Sequence, residues 1–559
     1  MIADAQVAGI LCALCANDKP FPALPTGQPA RRTNTGTMAE GLEERGGKAT
    51  WPTLRAPVVV TLAVLVAFAA GRLAIIGVPS EREYDEGVYL LSARAVLAGH
   101  ELFSSVFSSQ PPAFLETLAF AMRLFGDSIE TGRLLILGFA LVALAAVASL
   151  ARRLAGAWAA PAAAAALALT TTFGDLAHVV EAEMPALAIA LMALCACLEA
   201  RRRAWHRGWL LASGALLALG MLFKLLVAPL AAPLGLLLLL APAPRDEAEW
   251  RLDGRGPGLL GRVAVRALVV AAGAVAVALL PLLFYDARAL YEQTIAFHVT
   301  KREVYGARPA ENLLRVAGHL RANAALAATA LVGGALLALR SRVVLLWLMT
   351  WVFVMLAIIT LQSPLFWRHL VLLSPPLALA AGVAAPLLAG RLRRPGPMIF
   401  TTTVIAFWTA ATLMGQGRRS DAVFPLFPWS TGHDQGEVLL ENVARWIRDH
   451  TEPAELVVGD DPIVIYLAGR QAPPALCDTS TARIVSKSLT LEEATRESSA
   501  ARVIVLRQGG RLSRMPGYLE WLGGHYEKQS PRETGLSERR SVWIRKASAS
   551  PGAGASVAH

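Results

Sequence analysis

The sequence predicts an α-helical membrane protein with many spans, followed by a small α/β domain at the C-terminus. The mean hydropathy is +0.48 over 559 residues, and only 17% of the residues are charged. Runs of Leu, Ala and Val recur from residue 57 to residue 414. Because about 20 apolar residues are needed to cross a bilayer, these runs indicate transmembrane helices. After residue 415 the hydrophobicity falls, which is typical of an ordinary soluble domain.

Eleven apolar segments are candidate spans, namely 57–79, 131–151, 157–175, 182–200, 208–223, 225–241, 264–284, 322–340, 343–361, 369–390 and 397–414. The 14-residue helix predicted at Pro112–Phe125 is expected to lie at the interface, because counting it as a span would put the later basic clusters outside. With the N-terminus inside, every strongly basic loop falls on the cytoplasmic side of the inner (plasma) membrane. The C-terminal domain is then extracytoplasmic.

The predicted organisation has five parts. They are a disordered cytoplasmic leader at 1–50, a membrane domain at 51–415, a linker at 416–430, an extracytoplasmic α/β domain at 431–546 and a disordered tail at 547–559. Met38 is an alternative start within the leader. The net charge of +11 comes from short clusters between apolar segments, so it indicates membrane topology and not nucleic-acid binding. The five cysteines do not form a disulfide framework.

An acidic pair, Asp85-Glu86, follows directly after the first predicted span. Charged side chains next to hydrocarbon are costly, so a carboxylate pair at this place indicates a function. In the predicted topology the other polar residues close to the membrane lie on the same outer face, namely Gln110, Asp175, His178, Glu181, Glu183, Lys224, Tyr285, Asp286, Tyr291, His298, Lys301, Arg302, Arg368 and His369. Together they predict an outward-facing pocket that contains both carboxylates and cations.

These residues also have structural interpretations. Asp85 is a suitable N-cap for the amphipathic stretch Gly87–Leu97. Lys224 is placed to extend its ammonium from a helix end toward the interface. Arg368 and His369 are placed to cap the span that follows them. Glu181 and Glu183 are alternatively solvated charges at the entrance of a span.

Several short motifs occur in a characteristic order and spacing. They are Tyr84-Asp85-Glu86-Gly87-Val88-Tyr89, Ala95–Gly99, Gln110-Pro111-Pro112, Leu124-Phe125-Gly126, Arg133-Leu134, Ala151–Gly156, Glu181–Pro185, Gly220–Lys224 and Trp367–Leu370 with Pro375-Pro376. This series resembles the membrane glycosyltransferases that use lipid-phosphate sugars, including the protein O-mannosyltransferases and the bacterial aminoarabinose transferases of lipid A. The resemblance covers residues 57–415 and implies the GT-C fold of glycosyltransferase families 39 and 83.

Two positions depart from the family pattern. Relatives that modify lipid A often carry Lys before the Pro-Pro, where this chain has Gln110. The Arg-Tyr position of the family reads Arg368-His369. The acceptor and the details of phosphate contact are therefore not transferred from the family.

The resemblance implies a donor in which a sugar is linked to a polyprenyl phosphate, and an inverting single displacement. We expect Asp85 to be the general base that takes the proton of the acceptor hydroxyl, with Glu86 in support. Lys224 and Arg368 are expected to stabilise the departing phosphate. The other expected substrate-binding residues are Gln110, Glu181, Glu183 and His369. The alternative is a divalent cation, Mg²⁺ or Mn²⁺, which Asp85 and Glu183 would hold because hard cations prefer oxygen ligands. In the main prediction no residue is a metal ligand.

The sequence does not decide whether the acceptor hydroxyl belongs to a lipid, a glycan or a protein. Two other functions are also compatible with the sequence. One is a polymerase or ligase of surface polysaccharide, which also has many spans and charges on the outer face. The other is a transporter. It is the weakest alternative because transporters place polar groups at the bilayer midplane and often contain repeats.

The C-terminal region alternates predicted helices and strands, which favours a small α/β domain. Helices are expected at Gly436–His450, Asp461–Ala468 and Leu491–Ser498, and strands at 455–459 and 502–506. The turn Gly459–Pro462 is either a ligand-binding edge or the N-cap of a helix. The region has no Gly-rich phosphate loop, so no nucleotide-sugar site is indicated.

Overall fold

The computed structural model of the chain describes residues 51–77, 84–243, 250–254, 258–392, 396–416, 435–530 and 540–546. The described residues from Pro52 onward belong to one compact unit. The predicted leader with Met38, nearly all of the predicted linker and the predicted tail lie outside the described residues.

The described residues in the first half of the membrane domain form the α-helices α1 Trp51–Leu73, α2 Tyr84–Leu97, α3 Ala113–Phe125, α4 Ile129–Ala155, α5 Ala159–Ala168, α6 Thr171–Leu176, α7 Glu183–Arg202, α8 Arg207–Phe223 and α9 Ala231–Leu237. The second half contains α10 Leu259–Ala278, α11 Ala287–Tyr291, α12 Phe297–Tyr305, α13 Pro309–Ala322, α14 Ala324–Arg340, α15 Arg342–Leu361, α16 Ser374–Leu392 and α17 Pro397–Gln416. A π-helical turn, Glu292–Ala296, joins α11 to α12, and a 3₁₀ turn, Trp367–Leu373, precedes α16.

All eleven predicted spans overlap helical segments. Among the described residues, 6 helices are long and apolar enough to cross a membrane, or up to 7 if the bent pair α13–α14 is one span. This pair bends by 91° at Asn323. The short helix α3 has 13 residues, as expected for an interfacial helix. The fold class is confirmed, while the number of crossings stays a prediction.

Small residues allow the membrane helices to pack backbone to backbone. A Cβ atom at Gly214 of α8 would overlap the backbone of Val270 on α10, and one at Gly273 of α10 would overlap Leu211. Lipid tails are as apolar as these helices, so close van der Waals packing at glycine is a main source of helix association in membranes.

The C-terminal domain contains the strands β1 Val457–Gly459, β2 Val503–Arg507, β3 Tyr526–Lys528 and β4 Arg540–Arg545. They form a sheet in the order β1-β2-β4-β3. Strands β1 and β2 are parallel, and the other two pairs are antiparallel. Its helices are α18 Gln435–Asp449, α19 Pro462–Leu467, α20 Thr481–Val485, α21 Leu491–Ser498 and α22 Tyr518–His525. The α/β prediction is confirmed, although β3, β4, α20 and α22 were not predicted.

The stretch Gly87–Leu97 is helical, as predicted, but the prediction that this helix is amphipathic is wrong. Helix α2 is buried along most of its length, because α19 of the C-terminal domain covers one side of it. Gly87 makes this contact possible, since a Cβ atom there would overlap the backbone of Ile463. Arg94 of α2 donates to the carbonyl oxygens of Tyr466 and Arg470 at 3.2 and 3.0 Å. The C-terminal domain is thus docked on the helix that carries the acidic pair.

Candidate functional site

Arg368 is the centre of an ionic cluster. Its guanidinium pairs with Asp85, lies 3.6 Å from Oε1 of Glu181 through Nη1 and lies 3.3 Å from Oε1 of Glu183 through Nε. Asp85 is in the first turn of α2, Glu183 is the first residue of α7 and Arg368 is in the 3₁₀ turn before α16. The fold therefore brings together at one place helix ends that are far apart in the sequence.

Lys224 belongs to the same cluster. Its Nζ donates to Oε1 of Glu183 at 2.6 Å, and Nε2 of His369 lies 3.7 Å from the same oxygen. Lys224 is only 6% exposed. The interpretation of Lys224 as an ammonium that extends to the interface therefore does not describe this residue, because its charge is held inside by a carboxylate.

The carboxylates of the cluster differ in access and in hydrogen bonding. The Asp85 side chain is 26% exposed, whereas those of Glu181 and Glu183 are fully buried. Within the described residues, neither oxygen of Glu181 accepts a hydrogen bond, nor does Oε2 of Glu183. Buried oxygens without donors are rare in folded proteins, and these are suited to accept bonds from the hydroxyl groups of a ligand.

Glu86 lies outside this cluster although it is the neighbour of Asp85. Both of its oxygens accept bonds from Arg133, at 2.8 and 2.7 Å, and Oε1 also accepts from the backbone N–H of Val180 at 3.0 Å. The side chains of Glu86 and Arg133 are both 0% exposed. This bidentate pair joins α2 to α4, so Glu86 makes a structural contact, and its supporting role in catalysis stays a prediction.

The predicted substrate residue Gln110 makes no hydrogen bond or ion pair with the ionic cluster among the described residues. Its side-chain amide donates to the hydroxyl of Ser109 at 3.4 Å. The loop around it is held by Gln293, which accepts from the N–H of Ser108 at 3.0 Å, and by His298, whose Nε2 lies 2.8 Å from the carbonyl oxygen of Ser109. Where the family pattern has Lys, this loop brings no charge to the site.

Lys301 of α12 was predicted to lie at the outer pocket, but it was assigned no role in binding or catalysis. It is 8% exposed, and among the described residues it makes no ion pair and no side-chain hydrogen bond; its ammonium lies 5.6 Å from the centre of the Phe297 ring. Burial, followed by the nearby charge of Lys224, lowers the pKa of Lys301 to about 8, and Asp85 and Arg368 also act on it. Its place in a loop on the predicted outer face puts Lys301 near the pocket, but the sequence does not show that its ammonium is buried without a carboxylate partner among the described residues.

The described residues do not fit the predicted divalent cation. Asp85 is paired with Arg368, and Glu183 with Lys224. No group of three or more His, Cys, Asp or Glu side chains in the described part of the chain is arranged to hold a metal ion. Arg368 and Lys224 thus occupy carboxylate oxygens that a cation between Asp85 and Glu183 would need as ligands.

Part of the chain matches the model of a known protein family. Residues 109–252 match the model of a family described as dolichyl-phosphate-mannose-protein mannosyltransferase. The match covers less than half of the chain. It supports the predicted class, a membrane glycosyltransferase with a polyprenyl-phosphate-linked donor. No curated relative matches the sequence significantly.

Two crystal structures of ArnT from Cupriavidus metallidurans are similar to this chain over nearly their whole length. The apo structure has a TM-score of 0.58 at 16% identity, covering 89% of this chain and 99% of that one. The structure bound to undecaprenyl phosphate has a TM-score of 0.55 at 15% identity, covering 88% and 98%. The chain has the GT-C fold that the sequence predicts. At such identity the likeness establishes the fold and no more.

Proposed function

We propose that this protein is an integral-membrane glycosyltransferase that moves a sugar from a polyprenyl-phosphate donor to an acceptor hydroxyl at the extracytoplasmic face. The observation that carries the proposal is the buried ionic cluster around Arg368. It combines an accessible carboxylate, two buried carboxylates with free oxygens and three cations, Arg368, Lys224 and Lys301. These are the groups needed to bind a sugar, deprotonate an acceptor and stabilise a phosphate.

Asp85 acts as the general base in this proposal. It takes the proton of the acceptor hydroxyl while the acceptor oxygen forms a bond to the anomeric carbon of the donor sugar. The bond from that carbon to the phosphate oxygen breaks in the same step, so the configuration at the anomeric carbon inverts. Asp85 is suited to this role because it is the most exposed carboxylate of the cluster.

The lipid phosphate gains negative charge as it leaves, and the nearby cations stabilise that charge. Lys301 is the first candidate, since its ammonium has no carboxylate partner among the described residues. Arg368 is the second, because its guanidinium is shared among three carboxylates and can turn from Asp85 to the phosphate. Release from Arg368 also makes Asp85 a stronger base, because a nearby cation favours the charged carboxylate.

Lys224 has a different role from the one expected. It pairs with Glu183 at 2.6 Å and keeps this carboxylate charged and fixed. Glu183 and Glu181 then offer their free oxygens to the hydroxyl groups of the donor sugar.

The proposal is tested by transfer assays on purified protein with a labelled polyprenyl-phosphate sugar and a membrane extract as acceptor source. Asp85→Asn keeps the size of the side chain but cannot accept a proton, so transfer should fall by about 10²–10⁴-fold. Binding of undecaprenyl phosphate should persist, because the cations are unchanged. Full transfer by Asp85→Asn would exclude this residue as the base.

A deletion strain identifies the donor. Membranes that lack the protein should accumulate one polyprenyl-phosphate sugar, which lipid analysis detects. Accumulation of an unpolymerised or unligated lipid-linked oligosaccharide would instead support the polysaccharide polymerase or ligase.

A further inference from the structure

A cavity of about 360 Å³ lies between the membrane domain and the C-terminal domain. The loop 104–107 and the segment 292–300 form the wall on the membrane-domain side, and parts of 475–493 form the opposite wall. Its size falls in the range of small-ligand sites, which is about 300–1,000 Å³. None of the predicted site residues lines it.

Both walls are connected to the ionic cluster. On the C-terminal side, the wall residue Arg483 donates to the carbonyl oxygen of Asp478 at 2.6 Å, and the Asp478 carboxylate accepts from the Tyr84 hydroxyl at 3.3 Å. Tyr84 directly precedes Asp85. On the membrane side, the wall residue Thr300 directly precedes Lys301 on α12. A molecule in the cavity is therefore next to the elements that carry the proposed base and the proposed phosphate ligand.

The walls combine hydroxyl groups with aromatic rings. Hydroxyl side chains occur on both sides, including Ser105 and Ser488. The rings of Phe107 and Phe297 meet edge to face with their centres 5.4 Å apart, and both line the cavity. Hydroxyls exchange hydrogen bonds with a polyol. The Arg483 guanidinium lies over the Phe107 ring, 4.1 Å from its centre, and the remaining surface of the two rings offers apolar contact to the C–H groups of a sugar.

The charges on the walls are already balanced. Arg483 is buried, donates to two carbonyl oxygens at 2.6 Å and lies 3.7 Å from Glu493. Glu292 pairs with Arg288 at 2.7 Å. Both terminal nitrogens of Arg483 already donate to carbonyl oxygens, so a phosphate in the cavity would be desolvated with little compensation.

We propose that this cavity binds the acceptor and that the acceptor carries a neutral, polyhydroxylated group such as a sugar. The proposal rests on the proposed function and names the substrate class of the same site. A phosphorylated sugar as acceptor group is disfavoured, because the charges on the walls are already paired and Lys301 is not among the lining residues.

The test uses the full-length protein in nanodiscs and two probes, maltose and glucose 1-phosphate, in saturation-transfer NMR. Ser488→Trp and Ser105→Trp fill the cavity from opposite walls, and Ser499→Trp is the control on an exposed position outside it. We expect maltose to bind to the wild type and to Ser499→Trp but not to the two filled variants. Binding of glucose 1-phosphate but not maltose, or maltose binding that is unchanged in both filled variants, would overturn the proposal.

The transfer assay separates this inference from the function itself. The filled variants should raise the KM for the acceptor extract by about tenfold or more, as expected when several hydrogen bonds are lost. Their affinity for undecaprenyl phosphate should equal that of the wild type. Wild-type acceptor KM in both variants refutes the acceptor site alone, whereas a wild type that transfers from no polyprenyl-phosphate donor refutes the proposed function.

Discussion

At the scale of single residues, we expect Lys301 to make donor binding depend on pH. Its pKa is lowered to about 8, so the ammonium is charged below this pH and loses its proton above it. Affinity for undecaprenyl phosphate should therefore be highest below pH 8 and fall as the pH rises toward 9.5. Loss of one charge-assisted contact costs about 1.5–3 kcal/mol, which corresponds to roughly ten- to a hundredfold in Kd.

Lys301→Arg provides the matched comparison, because a guanidinium stays charged throughout this range. The Kd of Lys301→Arg for undecaprenyl phosphate should stay constant over the pH range in which the Kd of the wild type rises. The nearby His298 does not interfere, since burial and Lys301 lower its pKa to about 4 and it is neutral in this window. A Kd of the wild type that is constant from pH 6.5 to 9.5 would remove Lys301 from the phosphate site.

Substitutions at the two members of the acidic pair should have different effects: a change at Glu86 should lower stability, and a change at Asp85 should lower transfer activity. Glu86→Gln removes the carboxylate to which two nitrogens of Arg133 donate, in a place with no solvent access. Breaking a buried ion pair costs about 3–5 kcal/mol, so the variant should unfold at a clearly lower temperature in detergent. Asp85→Asn should keep the unfolding temperature of the wild type and lose transfer. Equal thermal stability of both variants would contradict this division of roles.

At the scale of elements, the contact between α2 and α19 holds Asp85 in place. Gly87→Ala adds a Cβ atom that overlaps the backbone of Ile463, so α19 or α2 has to move. Overpacking of this kind costs about 1–3 kcal/mol. We expect faster proteolysis of the C-terminal domain and reduced transfer, because Asp85 is two residues away on the same helix.

Gly138→Ala is the control for this prediction. Gly138 lies inside α4 with nothing within 4 Å of an added Cβ atom. Alanine at such a helix position is neutral or stabilising. If both variants resist proteolysis like the wild type, docking on α2 does not depend on Gly87.

At the scale of the whole molecule, membrane orientation decides where the chemistry occurs. A reporter fused after Arg153, at the end of α4, should behave as cytoplasmic, and one fused after Trp429 as exported. These outcomes place the ionic cluster and the C-terminal domain outside. A cytoplasmic result for the Trp429 fusion would show that the predicted eleven spans are wrong and would reverse the side of the proposed site.

The sequence by itself determined the fold class and most members of the site. Long apolar runs indicate membrane helices because only helices satisfy their backbone hydrogen bonds in lipid. Four charged residues were predicted as site members because they lie next to span ends, where a charge is costly and usually functional; they are Asp85, Glu183, Lys224 and Arg368. The structure brings these four residues together.

Only the tertiary structure decided which residues face the site and which are buried elsewhere. Successive residues of a helix point about 100° apart, so Asp85 meets Arg368 while Glu86 meets Arg133. Lys301 lies on a short polar helix that looks solvated in the sequence, and its burial depends on packing against distant loops. The cavity beside it is likewise formed by segments nearly 400 residues apart, because contacts at such separation are set by packing and leave no local pattern.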